Sequence, residues 1–158
     1  MTLTADERTA LLARYATGFD EVAAAVAGAS EADLDRHGPT GWSARQVVHH
    51  LADSETMAAT RVRRLVGDDD PVTIQGYDEP VWAERLHYDR PIEPSLALVG
   101  AVRAASHQLM TSLTPEEWDR VGTHSESGPY SVDRWLEIYA DHCHEHADQI
   151  RRARRGED

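Results

Sequence analysis

The sequence contains little cysteine, no lysine and no long apolar run. Cys143 is the single cysteine among 158 residues, so no disulfide can form within the chain, and a reducing cytoplasm is the expected location. No apolar stretch approaches the roughly 20 residues that a membrane-spanning helix needs, and the N-terminus does not have the pattern of a secretion signal. We therefore expect a protein that works away from membranes.

Positive charge is also scarce. The chain has 16 basic residues against 28 acidic ones, which gives a formal net charge of -12. Because this excess of negative charge opposes contact with a phosphate backbone, we expect no nucleic-acid partner and favour a small-molecule substrate. The segment 151–155 is rich in arginine, but it lies at a predicted helix C-terminus, where positive charge complements the helix dipole.

Four segments show the apolar periodicity of amphipathic helices. The first runs from Thr4 to about Gly28, the second from Ser43 to Gly67, the third from Pro94 to Leu113, and the fourth from Ser131 to the arginine-rich end. On the third, the predicted buried face is Leu98, Val102, Ala105, Leu109 and Leu113. No segment has a convincing strand pattern, and residues 122–129 are predicted to form a polar loop.

Four helices of about 20 residues predict one all-α domain, a four-helix bundle that spans residues 1–158. The connection from Asp68 to Glu93 is too long for a hairpin between adjacent antiparallel helices, but it is long enough to cross the bundle. We therefore predict an up-down-down-up order with a long crossover between helices 2 and 3. The run Asp68-Asp69-Asp70 has neither the spacing nor the glycine of a calcium loop and is expected to be a solvated turn.

Nine histidines are many for this length, and their positions on the helices differ. With Val47 as the centre of the second helix's buried face, His50 lies about 60° away, and His49 lies about 160° away, towards solvent. With Val132 as the centre on the fourth helix, His146 and His142 lie about 40° and 80° away on the same side. One histidine of the second helix and two of the fourth are thus expected to point inward.

These three histidines are also expected at matching heights. His142 and His146 are one helical turn apart, and an antiparallel second helix brings His50 to the level of His146. We predict that His50, His142 and His146 hold one divalent ion per chain, with positions left open for water or substrate. The alternative is that one or more of them fills a polar gap in the core or is solvated at the bundle edge. The sequence contains no HExxH motif.

Several motifs resemble those of the DinB-like superfamily, and more narrowly its YfiT type. They are the segment from Gly41 to Ser54, Tyr77-Asp78-Glu79 with Trp82, the stretch from Ser112 to Glu117, Glu126-Ser127-Gly128, and Tyr139-Ala140 followed by His142 and His146. The resemblance covers essentially the whole chain. It implies an up-down-down-up bundle that forms homodimers and a divalent ion on three histidines, which by position are His50, His142 and His146. This sequence departs from the type in having Cys143-His144-Glu145 between the last two ligands.

The sequence is compatible with more than one function for this predicted metal site. The resemblance implies a metal-dependent hydrolase or an S-transferase that uses a low-molecular-weight thiol such as mycothiol or bacillithiol. Zinc and nickel are the metals favoured by three imidazoles, and Fe(II) is also compatible. The alternatives are a metal- or ligand-binding stress-response bundle without catalysis and a structural dimer with vestigial histidines.

Five other residues are candidates for a role near the predicted ligands. Cys143 points into the apolar stripe and is expected to be a buried structural residue. The nearest carboxylates to the predicted ligands are Asp53, Glu55 and Asp148, and a solvated helix face is the favoured interpretation for all three. His124, in the predicted loop, is favoured as an ordinary loop residue over one that reaches substrate. No catalytic residue is assigned.

Overall fold

A computed structural model describes residues 2–158 as seven helices and three short strands. In chain order these are α1 (Ala5–Val26), α2 (Glu31–Asp35), α3 (Ala44–Gly67), β1 (Thr73–Ile74), α4 (Glu79–Arg85), α5 (Glu93–Thr111), α6 (Pro115–Trp118), β2 (Val121–His124), β3 (Gly128–Ser131) and α7 (Val132–Arg154). The long helices α1, α3, α5 and α7 form the predicted four-helix bundle. No helix within 2–158 combines the length and the apolar character that a bilayer crossing requires.

Three of the long helices begin at side chains that cap their free backbone N–H groups. Thr4 and Ser43 accept from the backbone of Glu7 and Gln46, whose side chains in turn accept from the cap backbone. Ser131 accepts from the backbone N–H of Arg134 at the start of α7. Each such cap contributes about 1 kcal/mol to helix stability. The helix starts expected from these residues are therefore confirmed to within one position.

Contacts between pairs of helices establish the direction in which each one runs. Between α1 and α7 the pairs are Arg8–Asp133, Arg14–Asp141 and Glu21–Arg151, and between α3 and α5 they are His49–Ser95 and Glu55–Arg103. Residue numbers rise together in both sets, so these helices are parallel. Between α3 and α7 the pairs are His50–His146 and Ala58–Trp135, where the numbers run in opposite directions. The up-down-down-up order is confirmed.

The prediction that no segment forms a strand is wrong. Strands β2 and β3 form an antiparallel hairpin immediately before α7, and β1, from the crossover, pairs in parallel with β2. The predicted loop at 122–129 is therefore largely this hairpin, in which Gly128 takes the positive φ of 79° that its turn requires. Strands of two to four residues are too short to show an alternating pattern. The sheet fixes the crossover against the start of α7.

The predicted buried face of the third helix is also wrong, by one residue. Val99, Arg103, Ser106 and Met110 are buried in α5, whereas Leu98 is 42% exposed. Two of the four buried residues are polar, so a search for apolar periodicity selects the neighbouring face. The correct face is rotated by about 100° from the predicted one.

The core consists of two apolar clusters with a polar layer between them. One cluster contains Ala58 of α3 and Met110 of α5, and the other contains Leu51 and Val99 of the same two helices. The polar layer lies at the level of Glu55, and it adjoins the three histidines predicted to bind metal.

Candidate metal centre

The three predicted ligands lie together between α3 and α7. One ligand atom from each of His50, His142 and His146 lies within 4.8 Å of the others. The ring centroids are 4.8 Å apart for His50 and His146, 5.7 Å for His50 and His142, and 4.6 Å for His142 and His146. The helix positions and heights expected from the sequence therefore bring these three side chains to one place.

Burial keeps two of these imidazoles neutral. Desolvation, together with the charges of His146 and His142, lowers the pKa of His50 to about 3. Desolvation and the charge of His142 lower the pKa of His146 to about 4. A neutral imidazole has a free lone pair, which is the form that binds a metal ion.

One ring nitrogen of this cluster has no hydrogen-bond partner among the described residues. His50 is 2% exposed, and its buried Nδ1 has no hydrogen-bond partner among the described residues. Its ring packs against the edge of Trp42, with the centroids 5.3 Å apart. A buried polar atom without a partner costs about 1–3 kcal/mol, which a bound ligand would offset. Three nitrogen donors and this unmet requirement fit a divalent ion of the zinc type.

The two α7 histidines are oriented by acceptors at Nδ1. His142 Nδ1 lies 3.4 Å from Oε1 of Glu55, and His146 Nδ1 lies 2.7 Å from Oε1 of Gln149. Engagement of Nδ1 leaves Nε2 of each ring free as a ligand atom. Carboxylate or amide acceptors behind a histidine commonly fix its ring and raise its basicity towards a metal.

The interpretation of Glu55 as part of a solvated face is wrong. Its side chain is fully buried and forms an ion pair with Arg103, with 2.6 Å between Nη1 and Oε1. Burial acts to raise the pKa of Glu55, but the His142 contact and the Arg103 charge outweigh it and hold this pKa below its usual range. Glu55 is thus a buried carboxylate directly behind a predicted ligand.

Arg103 crosses the polar layer and contacts three helices. Its Nη2 donates to the carbonyl oxygen of Tyr15 at 2.5 Å, and its guanidinium lies 3.7 Å from the centre of the Tyr15 ring. Gly18 makes this position possible, since a Cβ there would lie 2.7 Å from Arg103 Nη2. A lone arginine in the middle of an otherwise uncharged helical segment was the sequence signal for this network.

His49 does not face solvent as the helix geometry predicted. It is 1% exposed, because the crossover covers the face of α3 on which it lies. Its Nδ1 is 2.8 Å from the Ser95 hydroxyl, and its Nε2 is 2.9 Å from the carbonyl oxygen of Arg90. Both ring nitrogens are engaged, so His49 holds the crossover in place and is unavailable as a ligand.

A cavity of about 530 Å³ opens beside His142, which forms part of its wall. The cavity lies between α3, α7, the crossover and the hairpin, and its other lining residues include Ser54, Arg61, Tyr77, Glu79, His124, Glu126, Tyr130, Arg134 and Tyr139. Its volume is in the usual range for small-molecule sites. The sequence motifs at 77–79 and 126–128 therefore contribute to this cavity.

The remaining candidate residues differ in their burial and in the contacts that they make. His124 lies on strand β2, is 8% exposed and faces the cavity, so the expectation of an ordinary loop residue is wrong. Cys143 is buried as expected, and burial raises its thiol pKa strongly. Asp53 is half-buried and accepts from the Tyr88 hydroxyl at 2.7 Å, while Asp148 pairs with Arg151 at the surface. The three aspartates at 68–70 are exposed, as expected.

Comparisons with a family model and with individual proteins point to the same family. Residues 14–150 match the DinB superfamily. A protein of Oceanobacillus iheyensis is 41% identical over 110 residues, which are 70% of this chain and 63% of that protein. A protein of Bacillus mycoides is 30% identical over 132 residues, which are 83% of this chain and 76% of that protein. Both are named as candidate metal-dependent hydrolases, and the match spans less than two thirds of the first.

A solved structure has the same fold. YfiT from Bacillus subtilis superimposes with a TM-score of 0.88, at 25% sequence identity, over 98% of this chain and 89% of that one. YfiT is described as a candidate metal-dependent hydrolase with an unusual four-helix bundle topology. That description agrees with the parallel and antiparallel helix pairs found here.

Proposed function

The chain belongs to the DinB superfamily, and on that basis we propose that it is a metal-dependent hydrolase that holds one divalent ion on His50, His142 and His146. The observation that carries the proposal is the cluster of three imidazoles with ligand atoms within 4.8 Å, one of which has a buried nitrogen without a hydrogen-bond partner in residues 2–158. Nitrogen donors alone favour zinc or nickel over magnesium or calcium.

The chemistry that such an ion supplies is Lewis-acid activation of water or a thiol at a position that the protein leaves open. The chain's own residues do the rest. Glu55 holds the His142 ring through Nδ1 and is itself held by Arg103, so this part of the site is rigid before substrate enters. The cavity beside His142 admits a small molecule to one side of the cluster.

The size of the cavity supports a second candidate, transfer of a low-molecular-weight thiol to an electrophile. A volume of about 530 Å³ is in the range of small-molecule sites, so it suits part of a thiol such as mycothiol or bacillithiol as well as an ester or amide. In that reaction the thiol sulfur forms a bond to the electrophilic carbon, the leaving group departs, and the thiol proton passes to solvent.

Turnover with and without thiol separates these candidates. Zinc- and nickel-loaded protein is assayed against panels of esters, amides and alkyl halides, with and without a thiol, beside His50→Ala. We expect turnover that falls at least about 100-fold in the variant, because the loss of a metal ligand removes the activating ion. Turnover without thiol supports hydrolysis, and turnover only with thiol supports transfer. Metal binding without turnover across all panels would support a non-catalytic binding protein and contradict both.

Two further predictions accompany this function. The resemblance implies a homodimer, and an apolar strip on the outer face of α5 is available for it, where Leu98 is exposed and Val102 and Leu109 are partly exposed. The single buried thiol fits the predicted cytoplasmic location.

A further inference from the structure

The inner wall of the cavity contains an arginine whose charge is not neutralised. Arg61 donates from Nη1 to the Tyr139 hydroxyl and from Nη2 to the carbonyl oxygen of Gln75, both at 3.1 Å. Its Nε is buried and has no partner, and no carboxylate of residues 2–158 forms an ion pair with it. A half-buried guanidinium with only neutral acceptors has an unmet preference for an anion.

Two tyrosine hydroxyls in the same wall also have no hydrogen-bond partner in the part of the chain that the structure describes. The hydroxyls of Tyr77 and Tyr130 are buried and make no hydrogen bond in the described chain. The Arg61 guanidinium lies 5.9 Å from the centre of the Tyr77 ring, and its charge also acts on Tyr130. Burial raises the pKa of Tyr77 to about 12 and also raises that of Tyr130, so both hydroxyls keep their protons and can donate.

Acidic side chains line the same cavity but are more exposed to solvent than Arg61 and Tyr130. Glu79 and Glu126 are exposed, whereas Arg61 is half-buried and Tyr130 is buried. The second cavity arginine, Arg134, is also exposed and already pairs with Glu137 at 3.3 Å. The positive charge without an ion pair and the two hydroxyls are therefore in the more buried part of the cavity wall, and the acidic groups are in its exposed part, from which the Glu79 charge acts on Tyr77. This arrangement favours an anionic group in the more buried part of the cavity.

We propose that Arg61, Tyr77 and Tyr130 form a binding subsite for an oxyanion of the substrate, a carboxylate or a phosphate. The subsite adjoins the metal centre, since Tyr139 accepts from Arg61 and its ring lies 5.4 Å from the His142 ring. Resting on the proposed function, this places the anionic group of the substrate close to the bond that reacts at the metal centre. The substrates are then small organic acids or phosphorylated compounds.

Benzoate and benzamide, its uncharged isostere, are the probes that test this subsite by calorimetry. Metal-free protein is used first, because a carboxylate also binds metal directly, and zinc-loaded protein follows. We expect benzoate to bind at least about tenfold more tightly than benzamide, and Arg61→Gln to remove that difference. Tyr130→Phe is expected to weaken benzoate by about threefold. Arg63→Gln is the matched control, because Arg63 is two residues away on the same helix and does not line the cavity.

Equal affinity for benzoate and benzamide, an unchanged benzoate affinity in Arg61→Gln, or no binding at all would overturn the subsite. Competition by inorganic phosphate would extend its ligands to phosphorylated compounds, and no competition would confine them to carboxylates. Benzoate binding that persists in His142→Ala supports a subsite separate from the metal ligands. Metal content, measured on the same samples, separates the two proposals. If the protein takes up no metal but binds benzoate through Arg61, the metal-dependent function is contradicted and the subsite is supported.

Discussion

Replacement of Arg103 by methionine is expected to destabilise the protein by about 3–5 kcal/mol, the range for removing one partner of a buried ion pair. The loss is large because Glu55 is fully buried and would keep a charge without its main counter-charge. The carbonyl oxygen of Tyr15 would also lose its charged donor. Urea unfolding followed by circular dichroism measures the change in the free energy of unfolding.

Two controls show whether the ion pair is responsible. Arg63→Met makes the same chemical change at an exposed position and is expected to cost less than about 1 kcal/mol. The double variant Glu55→Gln with Arg103→Met removes the stranded charge and is expected to recover part of the loss. This explanation of the polar layer would be contradicted if Arg103→Met were as stable as the wild type. It would also be contradicted if the double variant lost more stability than Arg103→Met and Glu55→Gln lose in sum.

Zinc is expected to stabilise the folded protein, and His50→Ala is expected to abolish that effect. Because the unfolded chain does not hold the three imidazoles together, binding favours the folded state by about 4 kcal/mol when free zinc is 1,000 times its dissociation constant. The metal-free variant should fold normally, since the substitution removes a buried nitrogen that has no hydrogen-bond partner among residues 2–158. The measurement is the urea midpoint of each protein with zinc and with EDTA.

His144→Ala is the matched control for zinc stabilisation. His144 lies on α7 between the two proposed ligands, but it is half-exposed and contacts the carbonyl oxygen of Arg14 at 3.0 Å. Its variant should respond to zinc as the wild type does. An unchanged zinc response in His50→Ala, or its loss in His144→Ala, would place the ion elsewhere.

The bundle could be predicted from sequence because its four long helices show apolar periodicity and three of them begin at capping residues. Thr4, Ser43 and Ser131 each begin a helix where expected. The histidine cluster could also be predicted, since helical spacing alone places His142 and His146 on one side of α7. Local rules were sufficient for the starts of these helices and for the spacing of the two histidines along α7.

The polar contacts between helices could not be predicted in the same way. Arg103 and Ser106 are buried on α5, so the apolar pattern selected the wrong face of that helix. His49 is covered by the crossover, and no property of α3 itself indicates that a distant segment packs there. Burial of a polar residue depends on its partner, which periodicity does not identify.

The cavity is the part of the site that needed the tertiary structure. Tyr77 comes from the crossover, Tyr130 from the hairpin and Arg61 from α3, and the three strands that bring the crossover and the hairpin together were not predicted from the sequence. The motifs around the first two stood out only through the family resemblance. Their shared position beside His142 follows from the sheet that joins the crossover to the start of α7.

Metal content is the most direct test of the central claim, that three histidines hold one divalent ion. Untagged protein is purified without a nickel column, and its metals are quantified by mass spectrometry beside His142→Ala. The account predicts about one zinc or nickel ion per wild-type chain and a loss of that ion in the variant. Absence of metal from both proteins, even after dialysis against zinc, would contradict it, and so would an equal amount of metal in the two.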